Sequence, residues 1–96
     1  MEKYLINFEN VKNYDDFYDA IIKGLKFPGW CGKNPDAIYD LITGYMKYPA
    51  TISVIGGNKL PKEFLGEFSL IKLVVHKAQD MLKESGFQIF VVYEDK

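Results

Sequence analysis

Asp36 and Asp40 stand four residues apart in the stretch FPGWCGKNPDAIYDLITG, residues 27–44, with no lysine or arginine between them. At that spacing two carboxylates share one face of a helix and oppose each other by ~0.2–0.5 kcal/mol. Their natural counterparts are cations: the arginines and lysines of a partner surface, or a divalent metal ion. At about 100° per residue, Asp36, Tyr39, Asp40 and Thr43 fall within one arc, while Ala37, Ile38, Leu41 and Ile42 fill the other. Trp30 precedes this stretch in a loop with Gly29 and Gly32 beside it, and Tyr45 and Tyr48 follow it. Aromatic side chains around a charged pair are the composition of an interface anchor, since an apolar rim excludes water and raises the value of each charge contact. Plainer roles stay open at this stage. An acid in the first turn of a helix is favoured by the helix dipole without any ligand, a solvated Asp40 needs no partner, and Trp30 and Tyr48 can close the edge of a core.

Other chemistry finds less support. Cys31 and His76 are the sole cysteine and histidine and carry no nucleophile–base motif. His76 lies four residues before Asp80, the spacing of an ordinary surface pair on a helix. Two carboxylates alone are a poor magnesium or calcium site, because these ions take several oxygen ligands. The Gly56–Gly57–Asn58 turn lacks the G-x-x-x-x-G-K-[ST] pattern of a phosphate loop. Binding RNA directly requires a basic stripe with stacking aromatics, whereas these aromatics are interleaved with Asp36 and Asp40, and Lys33 and Lys47 at the edges relieve only part of that repulsion. The expectation is a protein-binding chain rather than an enzyme, with no metal, no cofactor and no direct contact with nucleic acid.

The element that must position the two acids is well specified. Asn34 is a preferred N-cap, Pro35 suits the first helical position, and Gly44 is expected to close the far end. Tyr4–Phe8, Thr51–Ile55 and Phe87–Tyr93 are short β-branched or aromatic runs bounded by polar residues or glycine, which predicts three strands. Between the first two, Tyr14, Phe17, Tyr18, Ile21, Ile22 and Leu25 recur at the spacing of a core-facing helix, with Asn13 placed to cap it and Asp15 and Asp16 in its first turn. A third helix is expected from about Ser69 to Ser85, its stripe made by Ile71, Val74, Val75, Ala78 and Leu82, with Gly86 after it. Residues 56–66 are a turn-rich connector with a short helical turn after Leu60. Strands separated by helical crossovers predict an α/β fold with a parallel sheet. The nearly continuous apolar character of FQIFVVY predicts a last strand covered on both faces.

Composition bounds the remainder. With 96 residues, 48% of them hydrophobic, the chain fits a single compact domain over residues 1–96. A net charge of −1 supplies no bulk field, so any electrostatic function must be local. One cysteine suits a reducing compartment, and a start of MEKYLINFENV is too short and polar for a secretory signal. A cytoplasmic monomer, away from membranes, is the expectation.

The stretch FPGWCGKNPDAIYDLITGYMKYP resembles the signature of the barstar family, intracellular protein inhibitors of small secreted ribonucleases. The shared elements are a proline and an aromatic–glycine loop, an N-x-D-A helix start, a second Asp four residues on, a T-G end, another aromatic, and Y-P before the next strand. The resemblance implies three parallel strands with packed helices, and a second helix and preceding loop that plug the active site of a small basic ribonuclease. Carried over by position, it implies that Asp40 is the carboxylate seated in the phosphate-binding pocket and Asp36 a second acid facing the nuclease. Trp30 matches a loop aromatic, Gly32 a close backbone contact, and Tyr39, Thr43 and Tyr45 neighbouring contact positions. Lys33 falls where the family can carry an acid, and Met81 falls at a position on the last helix where an acid can contact the nuclease. A second class of function uses the same acidic and aromatic surface as an interaction module for a basic protein that is not a nuclease.

Overall fold

Three strands, β1 (Glu2–Asn7), β2 (Ala50–Ile55) and β3 (Ile89–Glu94), pair in parallel in the order β1-β2-β3. The structure is a computed structural model and describes residues 1–94. Parallel neighbours cannot be joined by tight turns, so each connection carries helices: α1 (Tyr14–Gly24) and α2 (Pro35–Gly44) lie between β1 and β2, and α3 (Leu65–Glu84) lies between β2 and β3. In register, Tyr4 pairs with Ile52 and Ile52 with Val91, and Ile6 pairs with Val54 and Val54 with Tyr93.

Strands taken in chain order, joined by crossovers of one hand, receive all their helices on one face. The burial pattern follows that rule. Tyr4, Ile6, Ile52, Val54 and Ile89 are buried, while Leu5, Phe90 and Val92, pointing the other way, are 50%, 46% and 46% exposed. β3 is therefore an edge strand covered on one face, against the expectation of cover on both. Its sequence is apolar on both sides, and the strand order, not the strand's composition, decides what is covered.

Asn13 caps α1 as expected: its Oδ1 accepts a hydrogen bond from the Asp16 backbone N–H at 2.8 Å, and Asp16 Oδ2 accepts one from the Lys12 N–H at 3.1 Å. Phe17, Tyr18, Ile21, Ile22 and Leu25 form the buried stripe. Tyr14, expected on that stripe, is 48% exposed and reaches instead toward the loop before α2. Phe17 stacks between Phe8 and Phe64, with ring centroids 5.0 and 5.7 Å away, and Phe68 meets Phe8 edge-on at 5.3 Å. Aromatic pairs of this kind add about 0.5–1.5 kcal/mol each beyond the area they bury.

α3 begins at Leu65, four residues before the expected start, directly after a 3₁₀ turn at Lys62–Phe64. Pro61 and Gly66 give this segment the local character of a turn, but Phe64 and Phe68 extend the buried stripe of Ile71, Val75, Ala78 and Leu82 by one helical turn, and that packing prevails. The Tyr18 hydroxyl donates to Glu67 Oε2 in the first turn of α3. Burial, reinforced by that carboxylate, pushes the Tyr18 phenol pKa well up and keeps it a donor. At the far end Gly86 takes φ +86°, the expected left-handed stop. Among the described residues no helix is long and apolar enough to cross a membrane.

Candidate protein-binding site

The site is built on α2, which packs against α3. Asn34 Oδ1 accepts from the Ala37 N–H at 2.8 Å, and Pro35 follows in the first turn, so the start of the helix is fixed by its own sequence. Gly44 does not act as a left-handed cap. It belongs to the last turn, and Tyr45, at φ −122°, is the C-cap, its N–H donating to Leu41 O. Ile38 and Ile42, 0% and 1% exposed, anchor the helix in the core, with Ala37 and Leu41 packed beside them. Truncating the cap with Asn34→Ala is expected to lower the unfolding free energy by about 1 kcal/mol, read as a shift in urea midpoint at unchanged slope.

The opposite face carries Asp36 and Asp40, both exposed. Among the described residues neither forms an ion pair, and no cluster of three or more Asp, Glu, His or Cys forms around them. With no cation on them among the described residues, both carboxylates keep their acceptor capacity for a partner. Tyr39, between them, is half-buried and packs on the core. Thr43 turns its hydroxyl back onto the helix, donating to Tyr39 O at 2.9 Å with Asp40 O at 3.3 Å. Tyr45 is 52% exposed and meets Phe27 edge-on with centroids 6.0 Å apart. That contact joins the start of the loop before α2 to the residue that caps the helix's far end. Tyr48, a candidate edge-closer, takes that role: its hydroxyl donates to Ile42 O and its ring lies 5.2 Å from Phe87.

The loop before α2 is folded down by its cysteine and exposes its tryptophan. Cys31 is buried, its N–H donates to Pro28 O at 3.0 Å, and burial pushes the thiol pKa up, which disfavours the reactive thiolate. Trp30, next to it, is 75% exposed. Gly32 is the close-packed point of the loop, because a Cβ there would lie 3.0 Å from Asn34 Nδ2 and 3.1 Å from Ala37 Cβ. A larger residue would press on the helix cap itself.

Lys33 does not sit at the edge of the acidic face. Its ammonium reaches Asp15 Oδ1 at 3.3 Å and Asp19 Oδ1 at 3.4 Å on α1, while its carbonyl accepts from the Tyr14 hydroxyl at 2.8 Å. Desolvation works to lower the Lys33 pKa, and the hydrogen bonds and charges of the two carboxylates outweigh it and raise it. Tyr14, Asp15 and Asp19 were therefore missing from the set read from sequence. Asp15 carried only a helix-dipole role there, and no local spacing signals a contact across 14 to 19 positions. On α3, His76 Nε2 and Asp80 Oδ2 are 3.5 Å apart and exposed, the surface pair expected, and Met81 is 37% exposed.

A stiff helix with two carboxylates unpaired among the described residues, accompanied in sequence by Trp30, Tyr39 and Tyr45, is equipped to accept charge-assisted hydrogen bonds from a cationic surface and to exclude water around them. Comparison with known proteins agrees with the fold. Residues 1–94 match the family model described as "Barstar (barnase inhibitor)". A Bacillus subtilis (strain 168) protein named "Putative ribonuclease inhibitor YrdF" is 32% identical over 92 residues, covering 95% of this chain and 99% of the relative. With the match spanning every strand and helix described above, the chain belongs to the Barstar family.

Proposed function

We propose that the protein inhibits a small basic ribonuclease by seating Asp40 and Asp36 in the cationic site that binds the RNA phosphate. The observation that carries this reading is the charge arrangement on α2: two exposed carboxylates that have no counter-ion among the described residues, while the nearest cation in sequence, Lys33, is engaged on α1. Nuclease active sites offer Arg, Lys and His arranged for a phosphate. A carboxylate held on a rigid helix accepts the same charge-assisted hydrogen bonds and presents no bond to cleave. Trp30, Gly32, Tyr39, Thr43 and Tyr45 line the contact around the acids. The family's description as a barnase inhibitor and the name of the B. subtilis relative support the same class of partner.

The test is RNA hydrolysis by a panel of small secreted bacterial ribonucleases, barnase among them, titrated with this protein. The expected result is loss of cleavage at one-to-one stoichiometry with at least one of them, unchanged by EDTA. Stoichiometric binding to a basic protein with no effect on RNA hydrolysis would favour the interaction-module reading and contradict the inhibitor.

A further inference from the structure

We propose that Lys33 is an electrostatic latch that holds residues 28–34 on α1, so that Trp30 and the start of α2 are already in place when a partner arrives. Three contacts converge on this one residue from one helix: Asp15 Oδ1 at 3.3 Å, Asp19 Oδ1 at 3.4 Å, and the Tyr14 hydroxyl on its carbonyl at 2.8 Å. Asp15 and Asp19 are one helical turn apart, so a single ammonium bridges both. Lys33 is the one cation in the stretch from Phe27 to Gly44. Engaged on α1, it ties the loop down and is not available to neutralise Asp36 and Asp40. Order of this kind lowers the entropy lost when a loop is immobilised at an interface. The ion pairs are partly exposed, so each is weak and screened by salt, and the latch loosens as ionic strength rises. Its value to inhibition rests on the function proposed above.

The loop contains its own reporter. Cys31 is 6% exposed and is the only cysteine, so its alkylation in the folded protein requires the loop to lift. Iodoacetamide is neutral, and salt therefore acts on the protein and not on the approach of the reagent. Lys33→Met, which keeps most of the side-chain length and removes the charge, is expected to speed alkylation about threefold or more at low salt with the urea midpoint unchanged. Lys33→Arg should restore the slow rate. Raising sodium chloride from about 10 mM to about 1 M should accelerate labelling of the wild type and leave Lys33→Met nearly unaffected. The Asp15→Asn/Asp19→Asn double variant should match Lys33→Met, and combining all three changes should add nothing further. Equal rates for wild type and Lys33→Met, failure of arginine to restore protection, equal salt dependence in both proteins, additive effects in the combined variant, or acceleration that follows a fall in urea midpoint would each overturn the latch. No nuclease enters this experiment, so the latch and the inhibitor reading fail independently.

Discussion

Asp40→Ala is expected to weaken inhibition of the target ribonuclease by roughly a hundred-fold to a few thousand-fold, the equivalent of about 3–5 kcal/mol for breaking a desolvated charge pair. The size of the effect comes from the partner. Removing the carboxylate leaves an arginine or lysine of the nuclease buried under the inhibitor with nothing to meet it, and that stranded charge dominates the loss. In the free protein Asp40 is exposed and unpaired among the described residues, so its own unfolding free energy should change by no more than about 0.5 kcal/mol. Lys62→Ala, at an exposed position of the 3₁₀ turn before α3, is the matched control and should leave the inhibition constant within about twofold. Inhibition constants for the two variants, taken alongside urea unfolding curves, check both halves of the statement. Asp40→Ala inhibiting as well as wild type would remove the proposed mechanism even where inhibition itself is real.

Ile38→Ala should produce the converse result. Ile38 is fully buried beneath the acidic face of α2, and truncating it removes apolar contacts and opens a cavity, at a cost of about 2–5 kcal/mol. Set against the 5–15 kcal/mol of net stability common for small domains, that is a large fraction, and the urea midpoint should fall accordingly. Asp36 and Asp40 keep their positions on the helix surface as long as the chain is folded. The inhibition constant, corrected for the folded fraction, should therefore stay within a few-fold of wild type. Two substitutions on opposite faces of one helix thus separate what holds the site from what the site does. A loss of inhibition in Ile38→Ala well beyond its loss of folded protein would show that the core face of α2 sets the geometry of the acids more tightly than this account allows.

Much of this arrangement was legible because its causes are local. Asn34 and Pro35 specify where α2 begins, and the alternation of apolar and polar positions separates Ile38 and Ile42 from Asp36 and Asp40 without reference to anything else in the chain. Asn13 and the Phe17–Leu25 stripe are legible for the same reason. The features that sequence reading missed depend on partners far along the chain. Tyr14 looks like a core residue by spacing, yet it is turned out to meet Lys33, which in turn finds Asp15 and Asp19 on a different helix. No local pattern marks Gly24 either, where a Cβ would collide with the Leu5 carbonyl oxygen, so α1 rests directly on the backbone of β1. FQIFVVY is apolar on both sides and gives no sign that β3 is an edge; only strand order does. The early start of α3 is hidden by Pro61 and Gly66 and revealed by the burial of Phe64 and Phe68.

The central claim is that Asp40 and Asp36 stand in for RNA phosphate, and competition with a phosphate ligand addresses it most directly. The affinity of this protein for the ribonuclease it inhibits is measured in increasing concentrations of a nucleoside 3′-monophosphate that occupies the same nuclease site. The account predicts that the apparent dissociation constant rises in proportion to nucleotide concentration, and that this dependence disappears in the Asp36→Ala/Asp40→Ala variant. An affinity that stays constant while the nucleotide saturates the active site would place the acids somewhere other than the phosphate site and contradict the account.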